Sequence, residues 1–155
     1  MSEHAATVTW HLAPRAEFSV ESFNRDHEWT FPGGEVVAAS SSPEFAGTTT
    51  RVSPEDAVVA SLSSCHMLTF LALAAKKNLR VLSYVDSPVG TLAKNDEGFG
   101  SLTRITLRPR VVFGDDVKMD RETFDALHHD AHKHCFIANT LKCEMRLEPV
   151  LPDFD

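Results

Sequence analysis

Apolar and polar positions alternate with period two through the first third of the chain. In "TVTWHL", Val8, Trp10 and Leu12 alternate with Thr7, Thr9 and His11, the rhythm of a half-buried strand. "FSVESF" and "HEWTF" follow, the stretch from Arg15 to Asn24 open between strand and loop, and "EVVAAS" resumes beyond Pro32-Gly33-Gly34. Strand, Pro-Gly-Gly and strand read as a hairpin. "SSSPEFAGTTT" is a loop by composition.

The pattern then changes. "SPED" has the make-up of a helix start: Ser53 as cap, Pro54 at the first helical position and Asp56 closing a capping-box pattern. No Gly or Pro interrupts Val58 to Ala75, and Lys76-Lys77-Asn78 closes the segment. Apolar residues run around the whole circumference of "MLTFLALAA", which predicts a helix buried on all sides. A small domain cannot cover such a helix alone, so a partner subunit is expected.

Two strands come next, "VLSYV" and "LTRITLRPRVVF", with "KNDEGFG" as a turn between them. In the second, Thr103, Ile105, Leu107 and Val111 share one face, and Arg104, Arg108 and Arg110 the other. A second helix is predicted from near Asp120, with Phe124, Leu127, Ala131 and, 11 residues after Phe124, Cys135 near one stripe. The last strand, "LKCEMRLEP", sets Leu141, Cys143, Met145 and Leu147 against Lys142, Glu144, Arg146 and Glu148. Strands, long helix, two strands, helix, strand: without βαβα alternation, this order predicts an α+β fold with antiparallel sheet. No linker or repeat divides the chain, so residues 1–155 are expected to form a single domain.

Composition narrows the function. The formal charge of -7, with no run of Lys or Arg, argues against nucleic acid as a partner. "MLTFLALAA" is far shorter than the ~20 residues of a membrane helix, and the polar N-terminal stretch has no apolar signal region. A cytoplasmic protein without a membrane partner is expected. Its 3 cysteines are too few and too odd in number for a disulfide scaffold. In a reducing compartment, a pair among them is better read as redox-active.

Cys143, on the apolar face of a strand, reads as a small core residue. By periodicity alone Cys65 also reads as core. The polar cluster Ser61, Ser63, Ser64 and His66 beside it, inside an otherwise apolar helix, points instead to a close approach by a ligand or a backbone. Cys135 ends a helix crowded with His128, His129, His132 and His134. His128 and His132, four apart, could share a metal, but no further Cys or His stands at zinc-like spacing. No metal is expected, and the histidines are read as a solvated, mildly titrating face.

"SPEDAVVASLSSCHMLTFL", followed some 70 residues later by "AHKHCFIANTL", resembles the OsmC/Ohr family, the osmotically induced and organic hydroperoxide resistance proteins. The matching features are Pro54-Glu55 opening a helix, Cys65 ten residues after Glu55, and Cys135 with Asn139 in a Cys-x-x-Ala-Asn segment. "FPGGEVVAASSSPEF" looks like the family's N-terminal hairpin. The resemblance implies a thiol-dependent peroxidase for organic hydroperoxides. Cys65 would become a sulfenic acid and Cys135 would resolve it to a disulfide, recycled by a dithiol reductant of lipoyl type without a cofactor. It implies an intertwined homodimer with long central helices, and a site completed by Glu55 and a strand arginine. Arg25 in "FNRDHEW" fits that place, with Arg15 and Arg51 as alternatives.

Each implied role has a chemical reason. Thiolate is the nucleophile; a guanidinium favours it and meets charge on the leaving alkoxide; Glu55 would orient that arginine through a bidentate pair. A resolving thiol captures sulfenic acid before further oxidation makes the loss permanent. Met67, Leu68 and Phe70 near Cys65 suit an organic peroxide better than hydrogen peroxide. On one straight helix, Glu55 and Cys65 are separated by ~15 Å, so one arginine serves both only if the helix breaks or Glu55 comes from the other subunit. The rival reading is a non-enzymatic OsmC-like dimer that binds a small apolar ligand. Thiol hydrolysis with His66 as base fits less well, because adjacent helical residues point about 100° apart.

Overall fold

The computed structural model describes residues 1–152, which divide into two compact units at Ala57 and Val58. The N-terminal unit is a three-stranded antiparallel sheet, β1 (Thr7–Thr9), β2 (His27–Thr30) and β3 (Val36–Ala39), in that order. The Pro-Gly-Gly hairpin forms as expected: Thr30 pairs with Val36, and the amide of Gly34 donates to the carbonyl of Phe31 at 2.9 Å. Gly34 takes φ +87°, a backbone that needs no Cβ. The stretch open between strand and loop, with "FSVESF" in it, is a loop. Arg15 adopts φ 72°, and the Ser19 and Ser22 hydroxyls bond each other and nearby amides, so local side-chain hydrogen bonds turn the chain there.

Helix α1 (Pro54–Lys76) starts on the predicted capping box. Ser53 Oγ accepts from the Asp56 amide at 3.1 Å, and the Asp56 carboxylate accepts from the Ser53 amide at 3.3 Å. The helix is unbroken, but it is not buried on all sides. Leu62, His66, Phe70 and Ala74 form a buried stripe at four-residue spacing, while Ser61, Ser64, Leu68, Ala72 and Ala75 lie open, Leu68 at 60% exposure. One chain supplies cover for one side only. By length and composition α1 could cross a membrane; its buried stripe packs into the protein's own core.

The unit from Val58 onward carries β4 (Val81–Val85), β5 (Val89–Lys94), β6 (Gly100–Leu107), β7 (Arg110–Phe113), α2 (Arg121–His134) and β8 (Glu144–Leu147). Strand β5 was not expected. It pairs antiparallel with β6 through the turn at Asn95–Phe99. The single strand read in "LTRITLRPRVVF" is two, broken at Arg108-Pro109, because proline cannot donate to a ladder. Its second half pairs with β4 and its first with β5 and β8. β8 runs parallel to β6, Ile105 opposite Met145, so the sheet of this α+β fold is antiparallel except at that pair. Helix α2 starts on Asp120, whose carboxylate accepts from the Thr123 amide at 2.7 Å.

Two apolar clusters fill this unit. Phe70 and Ala74 of α1 meet Val111 and the α2 residues Phe124, Leu127 and Ala131. Leu62 of α1 meets Ile105 and Leu107 of β6, with Cys135 and Ala138 beyond the end of α2.

Candidate active site

The second cluster holds the cysteines. Cys135 is fully buried, and Cys65 and Cys143 pack half-buried against the cluster. Cys65 and Cys135, on elements some 70 residues apart in sequence, pack in the same apolar cluster, close enough for the Cys65 thiol to act on the ionisation of Cys135. All three cysteines are free.

Local structure fixes Cys135. It is the C-cap of α2 in extended conformation, and its sulfur accepts from the Ala138 amide at 3.4 Å. The Asn139 side chain donates to the carbonyls of Lys133 and Cys135, both at 3.0 Å, closing the turn around the thiol. Burial, and then the neighbouring Cys65 thiol, push the Cys135 thiol up to about 11. A neutral thiol at that place is a poor nucleophile toward peroxide and can still be captured by an adjacent sulfenic sulfur.

The polar residues around Cys65 have partners. Ser61 bonds back to the Val58 carbonyl. Ser63 donates to Asp86 at 2.6 Å, and Asp86 also accepts the Arg108 amide at 2.7 Å. His66 pairs with His128: His66 Nε2 and His128 Nδ1 are 3.1 Å apart, and the rings stack 3° from parallel. His128 is therefore no part of a solvated face. It is 1% exposed, against Phe70 and Phe124. His129 and His134 are exposed, as read, and His132 is half-buried. Burial holds both paired rings low, His66 at about 4 and His128 at about 3. Among the described residues no group of three His, Cys, Asp or Glu is placed to hold a metal.

The remaining candidates lie in the N-terminal unit. Arg25 donates to the carbonyls of Phe23 and Val20 and covers the Phe23 ring at 3.8 Å. Arg51 is bound to Asp26 at 3.1 Å. Glu55 is half-buried, with Oε2 buried and without a hydrogen-bond partner, so no bond joins it to Arg25 in this chain. The structure thus brings Cys65 to Cys135 and leaves Arg25 and Glu55 unjoined. The burial of His128 was open to sequence reading, since position 128 falls on the same stripe as Phe124 and Ala131; the neighbouring histidines masked it.

Fold and site together define an α+β protein with a half-buried Cys65 and a buried Cys135 in one apolar cluster. The chain belongs to the OsmC family: the model for "OsmC-like protein" matches residues 47–149. An OsmC-like protein of unknown function from Vibrio cholerae is 44% identical, with a TM-score of 0.94 over 97% of this chain and 100% of that one. The organic hydroperoxide resistance protein OsmC of Legionella pneumophila (TM-score 0.73, 14% identity, 97% and 98% covered) shares the fold. So does the organic hydroperoxide resistance protein OhrB of Bacillus subtilis (TM-score 0.63, 20% identity, 94% and 98% covered). Comparison with curated proteins gives no match.

Proposed function

We propose that the protein is a thiol-dependent peroxidase that reduces organic hydroperoxides. The observation that carries this reading is the meeting of the Cys65 and Cys135 thiols inside one apolar cluster, in a member of the OsmC family. Fold neighbours named for organic hydroperoxide resistance favour that substrate class. The Cys65 thiolate attacks the outer peroxide oxygen, the O–O bond breaks, and the alkoxide leaves with a proton as an alcohol. Cys65 is then a sulfenic acid. The Cys135 thiol attacks its sulfur, water leaves, and a Cys65–Cys135 disulfide remains. An external dithiol, of lipoyl type, returns both thiols and is itself oxidised to a disulfide.

Arginine and glutamate complete this scheme. Asp26 occupies Arg51. Arg25 gives its donors to neutral carbonyls, and the buried Glu55 oxygen has no donor. A buried carboxylate oxygen without a donor is costly, which makes Glu55 the acceptor to which an arginine, Arg25 first, is drawn. The unbroken α1 favours the expectation that Glu55 serves the thiol of a partner subunit. The open α1 stripe of Ser61, Ser64, Leu68, Ala72 and Ala75 favours a homodimer built on that helix.

Thiol counting by mass spectrometry, before and after one equivalent of cumene hydroperoxide, tests the reading. A Cys65–Cys135 disulfide with Cys143 still free is expected. Survival of all three thiols would sink the peroxidase and leave a ligand-binding OsmC dimer.

A further inference from the structure

Two residues that this chemistry does not use stand at the seam between the two apolar clusters. Along α1, Leu62, His66 and Phe70 follow at four-residue spacing, with Leu62 in one cluster and Phe70 in the other. His66 is the next residue after Cys65. On α2, His128 precedes Cys135 by seven residues, two turns, and so lies on the same side of the helix. The two rings are 1% exposed, centroids 5.5 Å apart, one donating to the other across 3.1 Å.

An apolar pair would continue both stripes at lower cost. Two imidazoles are desolvated here, and the outer nitrogens, His66 Nδ1 and His128 Nε2, have no partner. What the pair adds is direction. Apolar packing is non-directional and tolerates sliding; a hydrogen bond confines donor, acceptor and angle. The thiol contact and the imidazole contact use adjacent residues of α1 but points roughly 10 Å apart along α2. Two such points fix a line, so α2 cannot slide or pivot across α1 without breaking the bond.

We propose that the His66–His128 hydrogen bond is a positioning device for the dithiol, holding α2 across α1 in the register in which the Cys135 sulfur meets that of Cys65. The proposal rests on the reading that these two thiols form a disulfide. Neither imidazole is assigned contact with the peroxide; both act through the thiols.

The test uses no peroxide. Full-length protein is equilibrated with reduced and oxidised glutathione: the protein dithiol gives two electrons and two protons to glutathione disulfide, yielding the Cys65–Cys135 disulfide and two glutathione thiols. The equilibrium constant reads how well the fold presents the sulfurs to each other. The double variant His66→Leu/His128→Leu removes both partners and fills the seam with apolar side chains, so it is expected to fold with unchanged circular dichroism and no loss of thermal stability. Its equilibrium constant is expected to fall about tenfold, the size of one lost directional bond. In His66→Gln/His128→Asn the amide groups stand where ring Nε2 and Nδ1 stood, and recovery to within about threefold of wild type is expected.

A double-leucine variant with the wild-type constant overturns the proposal. So does a folded Gln/Asn variant no better than the leucine one. A purely structural role would move stability and leave the constant unchanged. Wild-type protein that exchanges normally with glutathione yet consumes no cumene hydroperoxide would sink the peroxidase reading alone.

Discussion

The same histidine pair makes the protein acid-sensitive by an amount that can be worked out. In the unfolded chain an imidazole titrates near ~6.5. In the fold, burial holds His66 at about 4, with His132 lowering it further and Asp86 opposing; burial and His66 hold His128 at about 3, with Asp125 opposing. Both folded values are depressed for a base, so the contribution to stability is complete above pH 6.5. It is lost as acid is added, because the unfolded chain takes up protons that the fold refuses. The window runs from 6.5 down to about 4, where His66 itself begins to titrate. Each refused proton is worth ~1.4 kcal/mol per pH unit once the unfolded ring is fully charged. From pH 7 to pH 5 the two rings together lose about 3–4 kcal/mol by this linkage. Urea unfolding at both pH values, at one fixed protein concentration, measures the loss in wild type and in His66→Leu/His128→Leu. Wild type should lose about 3–4 kcal/mol more than the variant, the other histidines cancelling between them. Equal losses in the two proteins would refute the claim that both rings are buried in the neutral form.

Three further outcomes are expected. Cys135→Ser should let cumene hydroperoxide carry Cys65 past the sulfenic acid to the sulfinic acid, seen by mass spectrometry as two added oxygens, with turnover lost. Phe70→Ala, at a fully buried ring 4.4 Å from His128 and 5.6 Å from Tyr84, should cost about 3–5 kcal/mol in urea unfolding. Gly47→Ala should cost more than ~3 kcal/mol by the same measurement, since a Cβ there would stand 1.6 Å from the Ser41 carbonyl oxygen.

Both helices were legible because their signals are local. Ser53 with Asp56, and Asp120 with Thr123, state the helix starts within four residues, and the stripe through Phe124, Leu127 and Ala131 states the buried side of α2. What escaped is set by distant partners. β5 was lost because Gly90 breaks its pattern; the glycine is needed where a Cβ would stand 2.6 Å from Val59. Alternation in "LTRITLRPRVVF" runs through Pro109 without showing that its halves join different sheets. Alternation also carries no sense of direction, so the parallel pairing of β8 was invisible. At the site, the meeting of Cys65 and Cys135 came from an ordered motif, whereas the partner of His66 could not be read, because no spacing along one helix names a residue on another. For Arg25 the resemblance implied a partnership with Glu55, and within this chain the carbonyls of Val20 and Phe23 accept its donors.

The parallel pairing of β6 with β8 has a consequence for synthesis on the ribosome. Arg104 waits for Glu144, forty residues on, before the sheet beneath the cysteines can close. Contacts of such separation form late, after loop closure has been met. Until then α1 emerges with Cys65 in place but with neither its thiol partner nor the β8 side of its cover. On the proposed function, the nascent chain therefore passes through an interval in which oxidation of Cys65 has no resolving step. Peroxide present during translation should accordingly damage this protein more than the same exposure after its release.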